Sequence, residues 1–130
     1  MQGVVKMKKK IKVKIKDVTP AVQSKVRIIA IDDEAITFSD GSKITYDHEQ
    51  DCCEYNYADF EQLDDIARNY TFTLPLQFEN AGEAGFRFGD KKAMFFVPCY
   101  SEQNGYYTCN LDIYYNNECV LWVECEMIEY

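Results

Sequence analysis

The chain has 130 residues, 47% of them hydrophobic and 15% aromatic, which suits one globular domain with a sizeable core. Its longest apolar runs, "AMFFV" and "CVLWV", fall far short of the roughly 18–20 residues of a membrane-spanning helix, which excludes a helical membrane protein. The formal net charge is −8 and very uneven: 7 of the 14 basic residues are lysines between Lys6 and Lys16, all 22 acidic residues lie from Asp17 onward, and residues 17–130 therefore carry −15, a body that repels nucleic acid.

Residues 1–16, "MQGVVKMKKKIKVKIK", form a basic leader. A lysine at nearly every second position breaks the apolar block that a secretion signal needs, and the alternation suits a charged edge strand or a disordered tail. With no secretion signal read, the six cysteines, Cys52, Cys53, Cys99, Cys109, Cys119 and Cys125, are expected to be reduced in a cytoplasmic protein, mostly as small buried hydrophobes. Residues 17–130 are expected to be a single domain.

Three short strands come next, "KVRIIAI", "EAITFSD" and "SKITYDHE", joined by turns at Asp32–Asp33 and Asp40–Gly41. Their alternation places Ile29, Ile31, Ile36, Phe38, Ile44 and Tyr46 on one face. The spacing of Phe60, Leu63, Ile66 and Ala67 then predicts one principal helix over about residues 58–68, with Asp59 as its cap. From Thr71 the pattern returns to strands: "TFTLPLQF", "AGFRFG", "KKAMFFVPCY", "GYYTCNLDIYY" and "ECVLWVECEMIEY". Pro75 and Pro98 mark edges, bulges or strand ends. A tight turn at Asn104–Gly105 would set Tyr100 opposite Cys109, and one at Asn116–Asn117 would set Tyr114 opposite Cys119 and Ile113 opposite Val120. Gly82, Gly85 and Gly89 lack the strand–loop–helix setting of a phosphate cradle and read as turn glycines. The whole predicts an α+β domain, mainly an antiparallel meander with one helix packed on it.

Two motifs stand out, "YDHEQDCCE" and the later "SEQNGYYTCNLDI". Together they resemble an uncharacterised family of bacteriophage and bacterial genomes that carries H-x-Q-D-C-C-E and a downstream N-G-Y-Y hairpin. The matching positions are His48, Gln50, Asp51, Cys52, Cys53 and Glu54, then Asn104, Gly105, Tyr106 and Tyr107, over roughly residues 25 to 115. The resemblance implies phage or mobile-element ancestry and a cytoplasmic setting, and no activity.

The first motif offers ligands for zinc in His48, Cys52 and Cys53 with Asp51 and Glu54, but neighbouring residues of a strand point to opposite faces, and no C-x-x-C is present. Thiol catalysis by Cys52 with His48 would need the two close, whereas four residues of strand span about 13 Å. A polar corner satisfying backbone groups, or a pocket for a small polar ligand formed by His48, Gln50, Asp51 and Glu54 beside Tyr106 and Tyr107, accounts for the same residues. Three functions are ranked in order. The first is a small non-enzymatic interaction protein docking a basic partner through an acidic, tyrosine-rich surface and self-associating through edge strands. The second is a protein that sequesters a small ligand at that corner, and the third a metal- or thiol-dependent enzyme centred on His48 and Cys52.

Overall fold

The β-branched and aromatic runs do form strands, and the computed structural model describes them over residues 24–47, 55–82, 84–103 and 109–129. In chain order they are β1 (Lys25–Val26), β2 (Ile28–Ile31), β3 (Ala35–Phe38), β4 (Lys43–Asp47), β5 (Tyr55–Ala58), β6 (Phe72–Thr73), β7 (Gln77–Asn80), β8 (Gly85–Gly89), β9 (Met94–Gln103), β10 (Asn110–Tyr115), β11 (Glu118–Glu124) and β12 (Glu126–Glu129). One sheet has the order β11-β10-β4-β3-β2. The second runs β12-β9-β8-β7, with β5 also on β9, and β1 and β6 form a two-stranded ribbon. Among the described residues all pairings are antiparallel except β12 with β9.

The architecture is mostly β rather than α+β, because the helix expected over residues 58–68 is broken up. Ala58 still belongs to β5, a 3₁₀ turn covers Phe60–Gln62, and the α-helix α1 is only Asp65–Arg68. Leu63 between them has an extended backbone, and Asp64 starts α1 afresh by accepting from the Ile66 amide at 2.9 Å. Asp59 makes no such cap. Phe60, Leu63 and Ala67 are buried as their spacing demands, but Ile66 is exposed.

The meander β2–β3–β4 is present, with one correction to its inner face. Ile36, Phe38 and Ile44 are fully buried, and Ile31 and Tyr46 pack against them, yet Ile29 is 65% exposed. A register irregularity between Ile28 and Ala30 sets Ile28, not Ile29, opposite Phe38. One extra residue in a strand reverses the facing of everything before it. A second shift, between Ile113 and Tyr114, pairs Ile113 with Leu121 instead of Val120 while leaving Tyr114 opposite Cys119. Asn116 and Asn117 make that turn with left-handed backbones, φ 52° and 69°.

β9 and β10 do not form a hairpin with each other: they belong to different sheets, and Tyr100 lies opposite Tyr57 and Glu126, not Cys109. Residues 104–108 lie outside the described residues, as do 1–23 and 48–54. Pro98 sits inside the ten-residue β9 at the point where the strand exchanges β8 for β5 and β12. Gly85 and Gly89 stand at the two ends of β8 rather than in turns, and close approach requires glycine there, since a β-carbon on either would overlap a backbone carbonyl, of Val97 or Ala93.

The inward side chains of both sheets meet in one core. Phe38 of the first sheet lies edge-on to Phe72 of the ribbon and to Phe88 of the second sheet, with centroids 5.8 and 6.2 Å apart, and Phe72 stacks on Phe88 at 5.6 Å. Each of these rings is fully buried, a gain of roughly 1.5–3 kcal/mol apiece over exposure. No helix among the described residues is long and apolar enough to cross a membrane.

Candidate functional site

Every residue singled out from the two motifs, His48, Gln50, Asp51, Cys52, Cys53, Glu54, Tyr106 and Tyr107, lies outside the described residues. Their flanks are nevertheless well placed. The chain leaves the first sheet at Asp47 and enters the second at Tyr55; it leaves the second at Gln103 and rejoins the first at Asn110. Asp47 lies opposite Asp112, and Tyr55 opposite Glu102. The Asn56 side chain then ties the sheets together by donating to the Asn110 carbonyl at 3.2 Å.

At this end the interior turns polar. The inward row of β9 runs Phe95, Val97, Cys99, Ser101, Gln103, and Asn56 of β5 lies opposite Ser101. Asn56, Ser101 and Gln103 are fully buried. The Gln103 amide donates to Ser101 Oγ at 2.7 Å and lies 3.4 Å from Cys109 Sγ, while the Ser101 hydroxyl donates to Asn56 Oδ1. Buried polar groups that are linked in this way are tolerated where isolated ones are costly. Nearby, burial first and then the neighbouring Cys109 push the Cys125 thiol up to about 12, and burial and Cys125 push the Cys99 thiol up as well. Neither is a thiolate nucleophile at neutral pH. Among the described residues no group of three or more His, Cys, Asp or Glu side chains could hold a metal ion.

Outside this polar end lies an acidic cleft of about 210 Å³, lined by Tyr46, Tyr55 and Tyr57 with Asp33, Asp59 and Glu61, and by Ala58 and Phe60. Alternation in "YNYA" sends Tyr55 and Tyr57 to one face of β5, where their rings stack with centroids 4.8 Å apart, and Tyr57 continues to Tyr100 at 5.7 Å. The Tyr46 ring packs against Phe60, and its hydroxyl donates to the Asp33 carbonyl at 3.3 Å. Burial, then Tyr55 and the charges of Glu34 and Asp33, push the Tyr46 phenol well above its ordinary value. Burial and the bond to Glu102, 3.0 Å away, hold Tyr57 at about 12. Both phenols therefore stay protonated, and the cleft brings tyrosine rings together with carboxylates, with no cation among the described residues that line it. Carboxylates beside aromatic rings are, in general, the chemistry that attracts an ammonium or guanidinium group.

The sequence signal for this cleft was the alternating "EYNYAD", two tyrosines on one strand face with an acid following. Asn56, Ser101 and Gln103 carried no such signal, since polar residues in a strand pattern are read as facing outward. Comparison of the chain with protein-family models, curated proteins and solved structures finds no match.

Proposed function

We propose that this chain is a small non-enzymatic interaction protein that docks a basic segment of a partner protein, seating a lysine or arginine side chain in the cleft of Tyr46, Tyr55 and Tyr57. The convergence of three tyrosines and three carboxylates, with no cation among the described lining residues, carries this reading. The charge of −15 on residues 17–130 steers a basic partner toward it. The H-x-Q-D-C-C-E resemblance adds a phage or mobile-element setting in the cytoplasm, and self-association belongs to the same reading, through β2 at the edge of the first sheet where Ile29 is exposed.

The test is fluorescence anisotropy of a labelled oligoarginine peptide titrated with the full chain. Binding that weakens with salt and falls about fivefold or more in Tyr55→Ala, as loss of a cation–ring contact implies, supports the proposal. Tyr55 is half exposed, so its removal spares the core. Equal binding by wild type and Tyr55→Ala would sink it.

A second reading is a small protein that sequesters a polar ligand, with the buried polar groups Asn56, Ser101 and Gln103 at the end of the sheets as its support. A thermal-stability screen addresses it, because a ligand that binds only the folded state raises Tm. The metal- or thiol-dependent enzyme centred on His48 and Cys52 ranks third; about one equivalent of zinc per chain, lost in His48→Ala, would promote it.

A further inference from the structure

Only seven basic residues lie beyond the leader: Lys25, Arg27, Lys43, Arg68, Arg87, Lys91 and Lys92. Arg68 and Arg87 are matched by Asp65 and Glu79 at 3.6 and 3.1 Å. Three of the other five, Lys25, Lys91 and Lys92, line a single cleft of about 370 Å³ and form no ion pair among the described residues. In a body as acidic as this one, such a concentration is a local reversal of charge.

The cleft is held in shape by its neighbours. Lys25 of β1 lies opposite Thr73 of β6, fixing one wall. Lys91 and Lys92 belong to the β8–β9 turn, which is pinned from within. Asp90 Oδ1 accepts from the Lys92 and Ala93 amides at 2.9 and 3.1 Å, and Oδ2 from the Thr73 amide at 2.8 Å. The Tyr70 hydroxyl lies 3.0 and 3.1 Å from the two oxygens. Asp90 is therefore buried and committed to the protein, and the three lysines leave the cleft at a net charge of +2. Its remaining wall is Leu74, Pro75 and Gln77, and most of the surface that it exposes is apolar.

We infer that the cleft between Lys25 and the Lys91–Lys92 turn is a binding site for a phosphate-bearing small molecule with a flat ring. The ammonium groups meet the phosphates, and the ring lies on Leu74 and Pro75. The volume is within the range of small-molecule pockets, which begins at about 300 Å³. Lysine binds phosphate as a point charge and needs no rigid fork, so flexible side chains on a fixed turn suffice. This site is independent of the tyrosine cleft and carries the opposite charge.

Isothermal titration calorimetry of the full chain tests it with three probes: ADP, inorganic pyrophosphate and adenosine. ADP is expected to bind one to one, pyrophosphate more weakly for want of a ring, and adenosine not at all. The double variant Lys91→Gln/Lys92→Gln is expected to lose about tenfold or more in ADP affinity and Lys25→Gln about threefold to tenfold, the scale of charge-assisted contacts. Lys43→Gln, a lysine on the first sheet outside this cleft, should change affinity less than twofold. No heat with millimolar ADP overturns the inference. So does unchanged binding by the double variant, the result expected if lysines 6–16 were the binding element, or an equal loss in Lys43→Gln. Pyrophosphate binding as tightly as ADP overturns the part given to Leu74 and Pro75.

Discussion

The Tyr70 hydroxyl reaches both carboxylate oxygens of Asp90, at 3.0 and 3.1 Å, across twenty residues of chain. Burial alone would raise the Asp90 pKa, but the amides of Thr73, Lys92 and Ala93 together with Tyr70 outweigh it and hold the carboxyl below its ordinary value of 3.8. A carboxylate lowered on folding contributes stability that is complete above the unfolded value and is lost as pH falls through the folded one. Asp90→Asn is therefore expected to lower Tm at pH 7, and the gap to wild type should close below about pH 3.8, checked by thermal unfolding from pH 2 to 7. Asp90→Ala, which strips three amides of their acceptor, should cost about 1–3 kcal/mol at neutral pH. A gap that stays constant with pH would remove the charge from this account.

Two glycines in the same half of the molecule should respond differently to alanine. At Gly89 a β-carbon would overlap the Ala93 carbonyl oxygen, which already accepts from the Asp90 amide at 2.9 Å and cannot move without opening the turn. Gly89→Ala is expected to cost about 2 kcal/mol or more, in line with other overpacked backbones. Gly82 has a left-handed backbone, φ +73°, but open space around it, so Gly82→Ala carries only conformational strain of about 1 kcal/mol. Urea unfolding of both variants gives the order; Gly82→Ala proving the more destabilising would contradict it.

Much of the β content was legible because period-2 alternation and Asp, Asn and Gly turns are local signals. The strands around Asp32, Asp40 and Asn116 are where their residues place them. What failed depended on single residues or on distant ones. Asp64 caps a new helical turn and so interrupts the apolar run Phe60, Leu63, Ile66 and Ala67, of which Phe60, Leu63 and Ala67 are buried and Ile66 is turned outward. The irregularity at Ile29 has no signature in "RIIAI", where the neighbouring Ile28 and Ile29 would pack equally well. Tyr100 could not be seen to pair with Tyr57 rather than Cys109, because the exchange of sheets between β9 and β10 is set by the whole topology. The tyrosine cleft was missed: β5 was not expected before the predicted helix, and Asp33 and Tyr46 reach Tyr55 and Tyr57 from another sheet.

Ser101 is the middle member of the buried polar chain, accepting from Gln103 and donating to Asn56. Ser101→Ala removes one partner from each while keeping the volume nearly constant, which isolates the hydrogen-bonding contribution from a packing defect. The expected loss is about 1–3 kcal/mol, the cost of weakening buried polar groups, and it should exceed that of Ser39→Ala, whose hydroxyl accepts one amide hydrogen bond at an exposed site. Chemical denaturation of the two variants under the same conditions decides this. A smaller loss for Ser101→Ala would mean that the chain around Asn56 and Gln103 closes without it.

The four described cysteines are free and span the full range of accessibility: Cys99 and Cys125 buried, Cys109 half-buried, Cys119 exposed. Reactivity follows thiolate content and access together. Burial, with Cys109 beside it, holds Cys125 at about 12, and burial with Cys125 raises Cys99 too, so both remain neutral and shielded across the working pH range. In a Cys52→Ser/Cys53→Ser background, an aromatic disulfide reagent at pH 8 should modify Cys119 first, Cys109 more slowly, and Cys99 and Cys125 only after unfolding in denaturant. Adding Cys119→Ser should abolish the fast phase and leave the slow ones intact. Fast modification of Cys99 or Cys125 in the native protein would show that the interior between β9 and the end of β11 opens on the timescale of the reaction, contrary to its complete burial around Cys99 and Val123.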